Sequence, residues 1–224
     1  MTFAKKSIEV SNVKDIVKWK FQKTAQTMIE KLQGNGFKAF YAENLSDAKS
    51  QVLKLLPEGV TIGLGGSITI EAMNILTDLR SAKYNLIDRY QPQDSAQHIS
   101  LFREALRADY FFTGANAITK DGEIICTDCS GNRVAAMMFG PEKVIIVVGV
   151  NKLVDSIEQA LTRIKNIAPM NAKRNHHPTP CAVSGVCENC HVPERMCNYT
   201  GIIHTGLRFE GRIMVIVIAD SVGL

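Results

Sequence analysis

The stretch VTIGLGGSIT, residues 60–69, decides the fold class of this chain. Val60–Leu64 is a short apolar run, typical of a buried strand, and it opens into Gly65-Gly66-Ser67 before a helical pattern that continues to about Leu79. A strand that passes through a glycine turn into a helix is the repeating unit of α/β proteins.

The same alternation of strand and helix continues on both sides of this stretch. Further strands are predicted over residues 37–42, 84–88, 110–113, 123–127, 143–150 and 212–219, and further helices over residues 13–32, 46–55, 95–107, 132–139 and 155–167. We therefore expect an α/β fold of three layers, in which helices cover both faces of a mixed, mostly parallel sheet. Residues 170–200 are rich in proline and cysteine and show no helical or strand period, so they predict a surface excursion before the final strand. The whole of 1–224 is predicted to be one domain.

Composition excludes several classes of protein. The 224 residues carry a net charge of +4, with 46% hydrophobic and 21% charged residues, a balance that excludes disorder as the main state. No apolar run approaches the roughly 20 residues of a membrane span, and no apolar segment follows Lys5 and Lys6 as a secretory signal requires. We expect a soluble, cytoplasmic protein without membrane insertion. No nucleic-acid motif is present, so no nucleic-acid partner is expected.

The glycine turn has two interpretations. Gly65 and Gly66 allow a ligand to approach the backbone, and the hydroxyls of Ser67 and Thr69 would add donors to a phosphate or carboxylate. The alternative is a tight turn in which Ser67 only caps the helix. In an open α/β sheet, ligands bind beside the carboxyl ends of strands, where this turn would lie.

A second polar turn, residues 128–133, also follows a strand and precedes a helix. Asp128, Asn132 and Arg133 would hold a polar ligand there, with Arg133 as the anion clamp. The alternative is local pairing, in which Arg133 forms an ion pair with Asp128. Asn116 lies in a third turn, which follows the predicted strand 110–113. The three turns would converge if they lie at one end of the sheet.

Four cysteines form the strongest cluster of possible metal ligands. Cys181, Cys187, Cys190 and Cys197 lie within 17 residues of a segment without a core of its own. Thiolates bind structural zinc and iron–sulfur clusters, so either zinc or a [4Fe–4S] cluster would order this segment. Disulfides or free thiols are the alternative, and a cytoplasmic chain argues against disulfides.

Cys126 and Cys129 form a second close pair, at the edge of the polar turn. The pair is consistent with two ordinary small residues. The alternative is a redox dithiol, or additional metal ligands, beside the predicted ligand pocket.

Four motifs taken together resemble the LUD domain, the family of lactate utilisation protein C. They are Gly65-Gly66-Ser67-Ile68-Thr69, Asn116-Ala117-Ile118-Thr119, Gly131-Asn132-Arg133-Val134 and Gly140-Pro141-Glu142-Lys143. The resemblance runs from about residue 12 to the last residue. The cysteine segment is similar to that of a short subfamily.

The resemblance implies a fold like the sugar-phosphate isomerase and CoA-transferase superfamily. It also implies a role in oxidising L-lactate to pyruvate together with iron–sulfur partner subunits. It identifies no catalytic residue. Proteins of this fold often form homodimers. No helix in this sequence has an apolar face distinctive enough to predict whether this chain forms one.

Three functions are consistent with the sequence. The first is a component of a lactate or 2-hydroxy acid oxidation system, in which Arg133 pairs with the substrate carboxylate. The second is a CoA- or sugar-phosphate-type binding protein or transferase, with Glu71 as a carboxylate nucleophile. The third is a non-catalytic assembly or regulatory subunit, since the sequence shows no set of nucleophile, base and orienting residue.

Overall fold

The computed structural model describes residues 12–224. Lys5 and Lys6, on which the expectation of no secretory signal rests, lie outside the described residues, as does the start of the predicted domain. No helix of the described chain has both the length and the apolar character to cross a bilayer.

The main sheet has six parallel strands: β1 (Lys38–Ala42), β2 (Thr61–Leu64), β3 (Asn85–Ile87), β4 (Tyr110–Thr113), β7 (Lys143–Gly149) and β10 (Ile213–Ile218). Their order across the sheet is β1-β10-β7-β4-β2-β3. The α/β class and the mostly parallel sheet predicted from the sequence are confirmed, and all six strands of the main sheet are parallel.

Both faces of this sheet are buried. Along β7, Val144, Ile146 and Val148 belong to one core and Ile145 and Val147 to the other. Alternate side chains point to opposite faces, so a strand covered on both sides must be apolar throughout. This requirement explains the unbroken apolar run of β7.

Helices and a second sheet form the outer layers. One face of the main sheet packs against α2 (Leu45–Lys54), α3 (Ile68–Ala72) and α4 (Leu76–Leu79). The other face packs against α1 (Val13–Gly34), α6 (Asn132–Met138) and a four-stranded sheet of order β8-β5-β6-β9. This second sheet comprises β5 (Ala117–Thr119), β6 (Ile124–Asp128), β8 (Leu153–Val154) and β9 (Tyr199–Ile203). On it packs α7 (Ile157–Arg174), through Ala160 and Ile164.

The second sheet is the main difference from the sequence prediction. The predicted strand at 123–127 is β6, which pairs antiparallel with β5 and β9 and does not join the main sheet. The predicted helix over 68–79 is interrupted, because Asn74 adopts a left-handed backbone with φ 51° between α3 and α4. Helix α5 (Ser95–Glu104) lies close to its predicted bounds.

The cysteine segment is more regular than predicted. Helix α7 continues through Pro169 to Arg174, and a short helix, α8 (Pro180–Ser184), follows it. Ala168 and Ala172 are buried on α7 and line a small pocket under the cysteine segment. This burial gives a packing reason for the helix to extend past its proline.

Candidate functional site

A cavity of about 530 Å³ lies at the carboxyl end of the main sheet. Four neighbouring strands end at it: β7 leads to Lys152, β4 to Gly114–Asn116, β2 to Gly66–Ser67 and β3 to Arg89. The chain leaves β2 toward one edge of the sheet and leaves β4 toward the other, so a crevice opens between these strands. Such a switch point is where open α/β sheets bind ligands.

Six of the eight ligand-binding residues predicted from the sequence line this cavity: Gly66, Ser67, Asn116, Asp128, Asn132 and Arg133. Gly65 and Thr69 are not among the lining residues. Gly65 forms the turn, with its N–H donating to the carbonyl of Phe112 at 2.7 Å. Thr69 is fully buried, and its hydroxyl accepts from Lys152 Nζ at 3.5 Å.

The two glycine-containing turns fit closely against each other. A Cβ on Gly114 would lie 2.8 Å from Ser67 Oγ, so the glycine makes room for the Ser67 side chain at the cavity edge. Ser67 also caps α3, with Oγ accepting from the Ile70 N–H at 3.4 Å. Helix α3 has only five residues, so its dipole adds little to anion binding.

Arg133 is held by protein groups on three sides. Its Nε donates to Asp128 Oδ1 at 2.8 Å, and its Nη2 donates to Asn116 Oδ1 at 2.7 Å and to the Thr127 carbonyl at 2.9 Å. Asp128 also accepts from the Val134 N–H at 2.6 Å, which fixes the start of α6. The geometry therefore favours the local-pairing interpretation, in which Arg133 joins the polar turn to Asn116 and shapes the cavity wall.

Arg89 is a cation of the cavity lining that no sequence motif indicates. Within residues 12–224 its guanidinium has no hydrogen bond and no ion pair; it lies over the Phe102 ring at 4.5 Å from the centroid. A Cβ on Gly66 would lie 3.6 Å from three guanidinium atoms, so the glycine backbone lies directly against the guanidinium. Burial lowers the pKa of Arg89, which nevertheless stays charged at neutral pH. Its position directly after β3 was the signal available in the sequence.

Lys152 is the second cation found only in the structure. It is 5% exposed, and no carboxylate of the described residues forms an ion pair with it. Burial, and then the nearby charges of Arg163 and Arg133, lower the pKa of Lys152 to about 8. No sequence pattern indicates it, because Lys152 follows β7 in a short 3-10 turn without a motif.

Glu71 lies away from the cavity lining. It accepts a hydrogen bond from the Tyr90 hydroxyl at 3.2 Å and lies 3.7 Å from Arg174 Nη1. These contacts are those of a glutamate in an ion pair at the surface, and they give no support to a nucleophile at this position.

The four cysteines of the segment line one small pocket beside the cavity. None is in a disulfide, and burial, followed by the nearby Cys187, raises the pKa of the Cys197 thiol. Among residues 12–224 no three histidine, cysteine or acidic side chains are gathered at coordinating distance. Four thiols are the donors that zinc and iron–sulfur clusters take, but coordination would require these thiols to turn toward one another.

Cys126 is fully enclosed in β6, and burial raises the pKa of its thiol. A buried thiol with a raised pKa is a poor thiolate, which favours an ordinary packing role over a redox dithiol.

The cysteine segment is tied to the polar turn by hydrogen bonds. The Asn198 N–H donates to the Asp128 carbonyl at 3.0 Å, and Asn198 Nδ2 donates to the Cys129 carbonyl at 3.1 Å. Arg195 Nε donates to the Cys197 carbonyl at 3.0 Å. Cys197 lines both the small pocket and the larger cavity, so the two sites share a wall.

Comparison with known proteins gives one family match. The model of the LUD domain matches residues 25–218. No curated protein matches the chain. Among solved structures, a DUF162 family protein from Deinococcus radiodurans is 14% identical with a TM-score of 0.49, and the match covers 90% of this chain and 97% of that one.

Two further solved structures come from Chaetomium thermophilum. The match to eIF2B beta is 18% identical with a TM-score of 0.33 and covers 50% of this chain and 40% of that one. The match to eIF2B delta is 18% identical with a TM-score of 0.32 and covers 61% of this chain and 54% of that one. Because the family model spans most of the sequence, this chain belongs to the LUD domain family.

Proposed function

We propose that the chain binds a small organic anion in the cavity, as a component of a lactate or 2-hydroxy acid oxidation system. The observation that carries the proposal is the pair Arg89 and Lys152, two cations without carboxylate partners among the described residues, on the lining of a cavity at the switch point of the sheet. A desolvated cation without a partner is costly, and a bound anion would compensate it.

The side chains divide into two groups by their contacts. Arg89 presents a planar guanidinium suited to a carboxylate or phosphate, and Ser67 adds a hydroxyl donor beside it. Arg133, with Asp128 and Asn116, forms the frame that holds the polar turn in place. We therefore assign anion pairing to Arg89 and positioning to Arg133.

Family membership supports the 2-hydroxy acid class as substrate. In the proposed reaction, L-lactate loses two electrons and two protons to become pyruvate, and iron–sulfur partner subunits accept the electrons. The role of this chain would be to hold the carboxylate and to exclude water around the reacting carbon.

We also propose that Cys181, Cys187, Cys190 and Cys197 bind zinc or a [4Fe–4S] cluster. Their position around one small pocket supports this assignment. Zinc would supply folding energy to the segment, and a cluster would supply one-electron redox chemistry. Iron, sulfide and zinc analysis of protein purified without oxygen separates the two, and the absence of all three would remove this part of the proposal.

Anion binding is tested by calorimetry with L-lactate and pyruvate, using the neutral amide lactamide as the uncharged control. We expect both acids to bind and lactamide to bind at least about tenfold more weakly, the size of one charge-assisted hydrogen bond. Arg89→Gln should remove this preference. Arg103→Gln, an exposed arginine on neighbouring α5, is the matched control and should retain it. Equal binding by the Arg89→Gln variant and the control would contradict the proposal.

A CoA- or sugar-phosphate-type binding protein or transferase is the second candidate. Arg89 and Lys152 suit a phosphate as well as a carboxylate, which is the observation that favours it. Thermal-shift comparison of CoA and sugar phosphates with 2-hydroxy acids separates the two functions. A chain that binds only the acids and turns none over by itself would fit the third candidate, a non-catalytic subunit.

A further inference from the structure

The charges around the cavity are not balanced. Four cationic side chains line it, and two of these have carboxylate partners. Arg133 pairs with Asp128 at 2.8 Å, with both side chains largely buried. Arg174 lies 3.7 Å from Glu71 at the rim. These two cations are compensated within the protein.

The other two cations, Arg89 and Lys152, have no such partner in residues 12–224. The Arg89 guanidinium lies over the Phe102 ring and against the Gly66 backbone, and Lys152 donates one long hydrogen bond to a threonine hydroxyl. His98, which also lines the cavity, is neutral at pH 7, because burial and then Arg89 lower its pKa. Arg89 and Lys152 are therefore the two lining cations without an ion-pair partner among the described residues.

The two cations lie against different residues of the segment that follows β2. Arg89 lies against Gly66 in the turn, and Lys152 reaches Thr69 in the first turn of α3. They follow β3 and β7, which are separated in the sheet by β2 and β4. Neighbouring strands lie about 4.8 Å apart, so the two cations approach the cavity from strands three spacings apart, and a ligand with one anionic group for each cation would pair with both.

We propose that the ligand of this cavity carries two anionic groups, one for Arg89 and one for Lys152. The proposal rests on the proposed anion-binding function and narrows its ligand class. A monocarboxylate such as lactate would pair with one cation and leave the other buried and uncompensated. A hydroxy dicarboxylate or a carboxylate with a phosphate monoester would satisfy both.

Matched probes test this directly. L-malate is L-lactate with a second carboxylate in place of a hydrogen, and 2-phosphoglycolate is glycolate with a phosphate monoester. Calorimetry at one ionic strength and pH 7 should show at least one dianion binding about tenfold or more tighter than its monoanion. Preference for malate alone identifies a dicarboxylate as the source of the second charge, and preference for 2-phosphoglycolate alone identifies a phosphate ester.

Two variants show whether the named cations cause the preference. Arg89→Gln and Lys152→Gln should each reduce the dianion preference to less than about threefold, while Arg103→Gln keeps it. Arg89 is partly exposed whereas Lys152 is buried, so the Arg89 variant is informative even if Lys152→Gln does not fold. Equal affinity of wild type for monoanion and dianion would overturn the proposal while leaving the proposed function intact. Absence of binding by all four probes and by pyruvate would overturn both.

Discussion

The buried ammonium of Lys152 should reduce the stability of the folded protein, and its replacement by methionine should increase it. The pKa of Lys152 falls from 10.5 to about 8 on folding, chiefly through burial. At about 1.4 kcal/mol for each tenfold change in proton affinity, keeping this group charged at pH 7 costs about 3 kcal/mol. Methionine has a similar length, fills the same space and carries no charge.

Part of the stability gained by removing the buried charge is offset by a lost hydrogen bond. Lys152→Met removes the hydrogen bond to the buried Thr69 hydroxyl, and an unsatisfied buried hydroxyl costs about 1 kcal/mol. We therefore expect Lys152→Met to raise the free energy of unfolding at pH 7 by about 2 kcal/mol, measured by urea denaturation. Lys83→Met is the control, since Lys83 is exposed, and its effect should stay within about 0.5 kcal/mol.

The pH dependence identifies the cause of the effect. Between pH 8 and 10.5 the unfolded chain binds more protons at this lysine than the folded chain does, so Lys152 makes wild-type stability rise with pH across that window. The advantage of Lys152→Met should therefore be largest below pH 8 and should shrink as the pH approaches 10.5. A variant that is less stable than wild type at pH 7, or an advantage that is constant with pH, would refute this reasoning.

Three further predictions follow from the contacts described above. Arg133→Met should cost about 3–5 kcal/mol in unfolding free energy, because it leaves buried Asp128 unpaired. Arg174→Met removes one partner of a half-exposed pair and should cost under about 1 kcal/mol. Similar losses in the two variants would contradict a framing role for Arg133. Chemical denaturation should show that Gly149→Ala destabilises the protein by about 1–3 kcal/mol, since the new Cβ would lie 2.6 Å from the Asp220 carbonyl oxygen. Gly34→Ala has open space around it and should change stability by under about 1 kcal/mol. Alkylation of the native protein at pH 7, followed by peptide mass spectrometry, should modify Cys126 more slowly than Cys190; equal rates would show that the Cys126 thiol is accessible.

The main sheet could be predicted from the sequence because its strands are buried on both faces. Burial on both sides requires continuous apolar runs, such as Val144–Val148, whose short length and β-branched residues indicate strands. The second sheet could not be predicted in the same way. β5 and β8 have three and two residues, too few to show a period, and β9 contains Gly201, where α6 packs so closely that a Cβ would lie 2.4 Å from Met138 Cε.

The candidate site was predictable in its backbone and less so in its charges. Gly66, Ser67 and Asn116 were identified because polar and glycine residues after strands are visible in the sequence. Arg89 was missed although it follows β3, because an isolated cation at a strand end forms no motif, and Lys152 lies in a 3-10 turn without a motif. Only the strand order, which is set by long-range packing, shows that these two residues lie at the same cavity.

The wall that Cys197 and Met196 share between the small pocket and the larger cavity has a thermodynamic consequence. Any group that binds the thiols and shifts this wall changes the free energy of anion binding, and the anion must then change the affinity of the thiols for that group by the same factor. The occupancy of one pocket in this way changes the affinity of the other pocket for its ligand. Under the two proposed assignments, withholding the group that binds the thiols would change the affinity for the anion without any change in the residues that contact the anion.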